Sequence, residues 1–342
     1  MSTNIRIKTA VLILPVIFTA QACDLLGSGS SGSGSQGVFY SVDGADSWQI
    51  GLSKEENLDM NRLMISRLFI EGSKPQNIVA ASSNTGLAVS DSHGEKWQLL
   101  LPGFLAHDAF INPFNDQEIF VAGARDRLAV IYKSADRGAS WLQVYNEPLG
   151  KAVVTTLAFD RSSPKTMFAG LSSGTVLKSS DSGDTWNSLA DFDDRIVDMV
   201  VAQSLIYALG QQSGLQRSTD GGMSWTKVAF SESVTAFNDL YMDPSVLGTL
   251  YVATSLGLYR TEDMGVTWNK LPIPATPEVR DVTSVAVNPG KKNQIFAAIR
   301  STIYRSDDNG ANWRTIQLPS NRTIASIVID PFEPNRIYAG LK

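Results

Sequence analysis

An all-β fold is the prediction for this 342-residue chain, and three observations support it. Every tryptophan ends an eight-residue segment rich in Ser, Thr, Asp and Gly, which we call the octet. The octets recur about every 44 residues, and each period also carries short, strand-like apolar runs. Four short strands in such a period are typical of one propeller blade. We therefore predict a single seven-bladed β-propeller with four antiparallel strands per blade, in which the octets end at Trp48, Trp97, Trp141, Trp186, Trp225, Trp268 and Trp313.

The octet has the chemistry of a stabilised hairpin turn. In the octet that ends at Trp141, the short side chain of Asp136 is suited to accept hydrogen bonds from backbone N–H groups just ahead of it. Gly138 supplies the positive φ that the reversal needs, and the tryptophan returns to the sheet, where we expect its ring to be buried. Two octets depart from this pattern, because Ser92 replaces the aspartate in one and Ala45 replaces the glycine in the other.

The octet resembles the Asp-box, or BNR repeat, of sialidases, sortilin-like receptors and many bacterial propellers. In those families the box lies on the outer rim, far from the ligand site. The resemblance therefore implies a structural role for the seven tryptophans and for the octet aspartates, which are Asp43, Asp136, Asp181, Asp220, Asp263 and Asp308.

Counting predicts how the ring of blades closes. Residues 36–342 number 307, which is close to seven periods of about 44. The strand Ile337 to Gly340 lies half a period short of another octet, whereas the segment Gly37 to Trp48 supplies a strand and an octet without an inner strand. We predict that residues 37–342 form the propeller and that the N-terminal hairpin completes its last blade. This arrangement leaves few free strand edges.

The first segment has the features of a secretory signal peptide, with basic residues, a short apolar run and small residues before Cys23. Its end resembles a bacterial lipoprotein signal, which implies cleavage after residue 22 and acylation of Cys23. The alternative is a soluble secreted protein that is cleaved nearby. Residues 23–36 continue as a Gly/Ser-rich tether. We expect a lipid-anchored protein on the periplasmic face or the surface of a bacterial cell membrane.

Composition excludes several function classes. The formal net charge is -5, and loss of residues 1–22 with two basic and no acidic residues would make it -7, so we expect no nucleic-acid partner. One cysteine excludes an intramolecular disulfide and a cysteine-rich zinc site, and two histidines exclude a multi-histidine metal site. No phosphate-binding or dinucleotide-binding motif is present. We predict no metal, no cofactor and a monomer.

Candidate binding residues follow from aligning the inner strands of the periods. Seven polar residues occupy equivalent positions near the expected mouth of the central channel, and we call them the ring. Channel mouths are wet and tolerate polar side chains, so the ring is either unspecialised or part of a ligand or partner surface. The ring consists of Arg67, Asp108, Thr156, Asp198, Asp239, Ser284 and Ser326.

Charged loops lead into the ring and provide further candidates. One carries Asp191, Asp193, Asp194 and Arg195, and another carries Glu278, Arg280 and Asp281. The longest, from residue 53 to residue 62, is suited to contact a partner, or is an unconstrained surface insertion.

Glycoside hydrolysis is the enzymatic alternative. A sialidase needs an arginine cluster, a tyrosine nucleophile and an acid/base aspartate. Arginines lie on the expected loops, but most tyrosines lie inside the repeating strands. A hydrolase with paired carboxylates would use two of Asp108, Asp198 and Asp239, although propeller enzymes of that kind join two propellers across a cleft. The arginines are Arg62, Arg67, Arg195, Arg280 and Arg322.

A lipid-tethered propeller of this kind also resembles the photosystem II assembly and stability factor family. Its members bind a membrane-protein partner and catalyse nothing. The resemblance consists of fold, repeat and anchor, since the sequence has no basic patch like the one with which that family engages its partner. We therefore predict a non-enzymatic, membrane-tethered cell-envelope scaffold that binds a protein, with glycan binding or glycoside hydrolysis as the alternative.

Overall fold

The computed structural model describes residues 37–55, 58–71, 74–147, 150, 152–230, 232–244 and 246–342. The predicted signal peptide, Cys23 and the tether lie outside these ranges. Within them, no helix is long and apolar enough to cross a membrane.

Almost all regular structure in the described residues is β-strand, with one 3₁₀ turn at Pro277–Val279. The first fifteen strands are β1 (Val38–Ser41), β2 (Gln49–Ile50), β3 (Leu52–Ser53), β4 (Ile65–Ile70), β5 (Ile78–Ser82), β6 (Gly86–Ser90), β7 (Lys96–Pro102), β8 (Leu105–Ile111), β9 (Ile119–Arg125), β10 (Leu128–Ser134), β11 (Leu142–Asn146), β12 (Val154–Phe159), β13 (Met167–Leu171), β14 (Thr175–Ser179) and β15 (Asn187–Asp191). The others are β16 (Ile196–Ala202), β17 (Leu205–Gly210), β18 (Gly214–Ser218), β19 (Thr226–Lys227), β20 (Phe237–Met242), β21 (Leu250–Thr254), β22 (Gly257–Thr261), β23 (Asn269–Lys270), β24 (Ser284–Val287), β25 (Ile295–Ile299), β26 (Thr302–Ser306), β27 (Arg314–Gln317), β28 (Ile324–Ile329) and β29 (Ile337–Leu341).

These strands form seven antiparallel blades around a common axis, so the predicted seven-bladed all-β propeller is confirmed. Blade 1 contains β4 to β7, and blades 2 to 6 follow with four strands each, ending with β24 to β27. Blade 7 has the order β28, β29, β1, β2 from the channel outwards. The N-terminal hairpin therefore completes the last blade, as predicted, with Val38 opposite Gly340 and Ser41 opposite Ile337.

Blade 1 differs from the prediction of four strands, because β3 adds a fifth. It runs parallel to β7, with Leu52 opposite Lys96 and Ser53 opposite Trp97. Since β3 follows β2 after a single residue, the chain crosses directly from the outer strand of blade 7 to the outer edge of blade 1. This crossing adds backbone hydrogen bonds at the seam between blades 7 and 1, including the bond from Leu52 N–H to the Glu95 carbonyl at 2.8 Å.

Each octet turn is held by its first residue as well as by its aspartate. In the octet that ends at Trp186, the buried Ser179 hydroxyl accepts the Gly183 N–H at 2.9 Å and donates to Asp181 at 2.8 Å. Asp181 also accepts the Thr185 N–H at 2.9 Å. The variant octet of blade 1 keeps the turn, because Ser90 binds Gly94 N–H and Ser92 takes the place of the aspartate.

The expectation that every octet tryptophan is buried is wrong for six of them. Trp97 is 0% exposed and its Nε1 donates to the Gly94 carbonyl at 2.8 Å. The other six are only partly buried, because each directly precedes the outermost strand of its blade, which no further strand covers.

The core lies between the blades, and the octets contribute to it. One apolar cluster joins Phe120 of blade 2 to Leu157 of blade 3, and another joins Tyr338 of blade 7 to Ile65 of blade 1. The fifth octet residue packs so closely on the preceding blade that a Cβ at Gly222 would lie 2.4 Å from Leu189 Cδ2.

A basic side chain directly before the octet also binds the next blade. At five seams its cation donates to the carbonyl of the fourth residue in the neighbouring octet. These pairs are Lys133 with Ser182, Lys178 with Gly221, Arg217 with Met264, Arg260 with Asn309, and Arg305 with Gly44.

Candidate functional site

The ring residues occupy one level of the inner strands because most of those strands share the same irregularity. In six blades the register shifts by one residue directly before the ring position, for example between Ile196 and Asp198 in β16. Such a bulge re-aims the side chain next to it. The equivalence that the alignment predicted therefore corresponds to a repeated backbone feature.

The structure brings the ring residues together as bonds between neighbouring blades. At five seams the ring side chain of one blade accepts a hydrogen bond from the backbone N–H that follows the ring position in the next blade. The acceptor and donor pairs are Asp108 with Leu157 at 2.8 Å, Asp198 with Leu240 at 3.1 Å, Asp239 with Val285 at 2.9 Å, Ser284 with Ile327 at 3.1 Å, and Ser326 with Leu68 at 3.1 Å.

The two remaining seams follow from the chemistry of Arg67 and Thr156. Arg67 has no acceptor atom on its side chain, so Asp108 binds the N–H of its own neighbour Ala109 at 2.8 Å. Thr156 donates its hydroxyl to Asp108 at 3.1 Å and to Asp198 at 3.4 Å. Asp198 then binds the N–H of Met199 at 2.8 Å.

Arg67 spans the channel and pairs with two carboxylates on the far side. Its guanidinium donates to Asp198 at 2.7 Å and to Asp239 at 3.3 Å. Its side chain is 32% exposed, whereas that of Asp198 is 0% exposed. Burial alone would lower the pKa of Arg67, but the charges of Asp198, Asp108 and Asp239 raise it overall, so the guanidinium stays charged.

The ring aspartates have unequal electrostatics. Burial raises the pKa of Asp108, and the charge of Arg67 only partly opposes that rise. Burial also raises the pKa of Asp239, to about 7, with a further upward contribution from Asp198 and a downward one from Arg67. Asp239 therefore takes up a proton far more readily than an aspartate in water.

A polar cavity of about 490 Å³ opens above the ring. One residue from every blade lines it, and each directly precedes the ring position. The alignment missed these seven residues, although their place one residue before the ring was a readable signal. We call them the mouth tier: Ser66, His107, Thr155, Val197, Asn238, Thr283 and Ala325.

Three mouth-tier side chains are already bound to the next blade. Thr155 donates to the Ile196 carbonyl at 2.5 Å, and Thr283 donates to the Ile324 carbonyl at 2.6 Å. The Asn238 amide donates to the carboxylate of Asp281 at 2.7 Å. These three side chains therefore form a hydrogen-bonded part of the cavity wall.

Blades 2 and 4 carry groups at the mouth without such bonds. In the described part of the chain, the side chains of Arg195 and Gln211 in blade 4 have no hydrogen-bond or ion-pair partner, although both line the cavity. His107 lies in blade 2, and burial, together with the charge of Arg195, lowers the pKa of its imidazole. These groups give the mouth free hydrogen-bonding capacity.

Of the five arginines predicted near the mouth, the structure brings Arg67 and Arg195 into the cavity lining. Arg62 forms an exposed ion pair with Asp59 at 3.3 Å. Arg322 donates to backbone carbonyls, including that of Asn61 at 3.2 Å. Arg280 lines a separate cavity of about 320 Å³, beside blades 5 and 6. No cluster of three or more His, Cys, Asp or Glu residues placed to hold a metal ion occurs among the described residues.

Comparison with solved structures finds propellers with unrelated activities. A GH74 xyloglucanase from Xanthomonas campestris aligns with a TM-score of 0.69 and 16% identity over 88% of this chain and 52% of its own. YCF48 bound to D1 peptide aligns with a TM-score of 0.61 and 16% identity over 82% and 94%. The WD40 repeats of RRP9 align with a TM-score of 0.62 and 11% identity over 82% and 95%.

The likeness is one of fold. At these identities the neighbours establish the propeller and leave the function open. The chain spans about half the length of the xyloglucanase, as it does of the GH74 enzyme from Niastella koreensis, of which it covers 53%. No protein-family model and no curated protein matches the sequence.

Proposed function

We propose that this protein is a non-enzymatic propeller, tethered to a cell-envelope membrane through Cys23, that binds a protein partner at the channel mouth. The observation that carries the proposal is the use of the ring carboxylates. Asp108, Asp198 and Asp239 each hold a backbone N–H of the adjacent blade, and Arg67 neutralises two of them. The ring is therefore a set of bonds that holds the blades, and the cavity above it is the surface left for a ligand.

Glycoside hydrolysis is the alternative, and the geometry of the carboxylates favours it less. A general acid or base must reach the substrate within about 2.6–3.2 Å, or through one water. Asp198 is 0% exposed, and Asp108 and Asp239 are 5% and 8% exposed. The fold likeness to GH74 enzymes keeps this alternative worth testing, and a glycoside panel tests it directly.

The tether belongs to the proposal because the sequence before the propeller has the signal, the cysteine and the flexible linker. Each buried CH₂ of an acyl chain contributes roughly 0.8 kcal/mol to membrane binding, so more than one chain on Cys23 would anchor the protein stably. Cys23→Ser should move the protein from the membrane fraction to the soluble fraction. Retention of this variant in membranes would contradict the anchor.

Affinity capture from detergent-solubilised membranes tests the binding role. The matched variants are Ala325→Trp, which fills the mouth, and Ala311→Trp, which lies in an octet. Octets follow the third strand of a blade, which runs in the same direction as the inner strand, so they lie at the far end from the mouth.

We expect wild type and Ala311→Trp to capture the same companion protein, and Ala325→Trp to lose it. Capture of no companion by wild type, or hydrolysis of a glycoside that Asp198→Asn or Asp239→Asn abolishes, would overturn the proposal. Both alanines are partly or fully exposed, so the substitutions test the surface rather than the core.

A further inference from the structure

Arg195 lines the cavity, and backbone hydrogen bonds hold its main chain in place. It directly precedes β16 of blade 4, and its carbonyl accepts the Gln211 N–H at 2.8 Å. The Gln211 carbonyl in turn accepts the Phe237 N–H at 2.9 Å, which ties this loop to blade 5. The guanidinium therefore starts from a well-defined position on the lining of the 490 Å³ cavity.

The guanidinium itself is half-buried and has no partner within the described chain. It carries five N–H donors, and burying such donors without acceptors is unfavourable. The lining carboxylates are already engaged, since Asp239 binds Arg67 and Val285 N–H while Asp281 binds Asn238. Arg195 is therefore a cation without a partner in the lining, beside carboxylates that already accept hydrogen bonds from other residues.

Two further unpaired side chains line the same cavity. Gln211 contributes a carboxamide, and His107 contributes an imidazole that is uncharged near neutral pH, because burial and the charge of Arg195 lower its pKa. Thr155 lies between their blades, with its hydroxyl already bonded to two backbone carbonyls. Lys342 is the third cationic residue of the lining, with Arg67 and Arg195.

An anion of modest size is the complement to this arrangement. Arginine binds carboxylates with two parallel hydrogen bonds, and amide and imidazole N–H groups are suited to donate to the same oxygens. The volume lies within the range of about 300–1,000 Å³ that is typical of ligand pockets. Phe237, the one Phe, Tyr or Trp among the described lining residues, is 4% exposed, so a sugar ring finds no aromatic face to stack on.

We propose that Arg195, with Gln211 and His107, binds the side-chain carboxylate of an acidic peptide segment that enters the channel mouth. The inference rests on the proposed function and specifies which chemistry of the protein partner the mouth recognises. Arg195 is the anchor of the site, while the bonded wall of Thr155, Thr283 and Asn238 gives the cavity its shape.

Calorimetric titration of the full-length protein in detergent tests the inference. The probes are the end-blocked peptide acetyl-Gly-Asp-Gly-Asp-Gly-amide and its counterpart with Asn in place of Asp. A charge-assisted hydrogen bond predicts that the acidic peptide binds about tenfold tighter or more. Arg195→Gln should abolish this preference and Arg195→Lys should keep part of it. Arg127→Gln, which removes an exposed arginine from another loop, should leave it unchanged.

Equal binding of the two peptides, or a preference that survives in Arg195→Gln, would overturn the inference. Binding of digalacturonate without binding of the acidic peptide would also overturn it and would point to a glycan. Because Arg195 has no partner, Arg195→Gln should melt at or above the wild-type temperature. A large fall in melting temperature would instead mark a structural role and contradict the inference.

The capture experiment separates this inference from the proposed function. A companion that is captured equally by wild type and Arg195→Gln leaves the binding role standing and refutes Arg195 as its anchor. Loss of the companion in Arg195→Gln, with capture kept in Arg127→Gln, supports both.

Discussion

The Ser326 hydroxyl of blade 7 accepts the backbone N–H of Leu68 in blade 1 at 3.1 Å, across the seam between the last blade and the first. The same kind of bond recurs at four other seams, with aspartate or serine as the acceptor. The ring therefore adds side-chain hydrogen bonds to the strand pairing by which the N-terminal hairpin and β3 close the propeller. The main role of the ring residues is to hold neighbouring blades together.

Removal of the Asp198 carboxylate should be strongly destabilising. Asp198→Leu would leave Leu240 N–H without its acceptor and Arg67 with one partner fewer inside the channel. Breaking a buried ion pair from one side costs about 3–5 kcal/mol. Urea unfolding measures this loss. Asp184→Asn is the control, because the Asp184 side chain is 62% exposed and the loss of its ion pair with Lys133 should change stability by less than about 1 kcal/mol.

Adjacent glycines separate backbone strain from steric contact within one octet. Gly221 has φ of +74° and open space around its missing Cβ, so Gly221→Ala should cost only about 1–2 kcal/mol of left-handed strain. Gly222 has φ of +96° and also packs on Leu189, so Gly222→Ala should cost about 1–3 kcal/mol more. Equal losses of unfolding free energy in the two variants would show that the seam is not packed as described.

Octet tryptophans should differ in importance according to their burial. Trp97 is 0% exposed and is hydrogen-bonded to Gly94, so Trp97→Ala should cost about 3–5 kcal/mol. Trp186 also binds a turn carbonyl but is partly exposed at the outer rim of its blade, so Trp186→Ala should cost less. Thermal melting of both variants ranks them. The reverse order would refute the argument from burial.

The octet aspartates and the ring aspartate Asp239 should change the stability of the protein in opposite directions as the pH changes. The octet hydroxyls and N–H groups lower the pKa of Asp43, Asp181, Asp220 and Asp263 to about 2, so their contribution is present above about pH 4 and is lost as pH falls towards 2. Asp239 behaves in the opposite way. Its pKa is raised, so its contribution is full below about pH 4 and is lost as pH rises through about 7.

Asp239→Asn tests the second of these effects. Since asparagine does not titrate in this range, the variant should lack the part of the stability decline between pH 4 and pH 7 that Asp239 causes. Unfolding free energies measured at several pH values give the slope for each protein. Identical slopes for wild type and variant would show that the Asp239 proton is not linked to folding.

Much of the fold follows from features that repeat in the sequence. The spacing of the octets predicts the number of blades, and the half-period at Phe39 and Tyr338 predicts that the two ends share a sheet. The alignment also selects Asp198 and Ser284 as equivalent positions. These predictions succeed because periodicity is a local property that does not depend on how the blades dock.

The sequence did not predict what the ring residues do in the structure. The sequence suggested that Asp108 and Asp239 belong to a wet mouth, but the structure buries them against the N–H groups of the adjacent blade. The cations before the octets and the parallel strand β3 were not anticipated either. Each of these features is a contact between two neighbouring blades, so no pattern within one period specifies it.

Composition and repeat spacing by themselves determined the all-β class, the seven blades and the joining of the two chain ends, since every period carries its own strands and turns. Tertiary structure alone decided which polar groups form hydrogen bonds between the blades and which, like Arg195, have no partner. Hydrogen bonds across a seam depend on the distance and angle between neighbouring sheets, and those are set only when all seven pack around one axis.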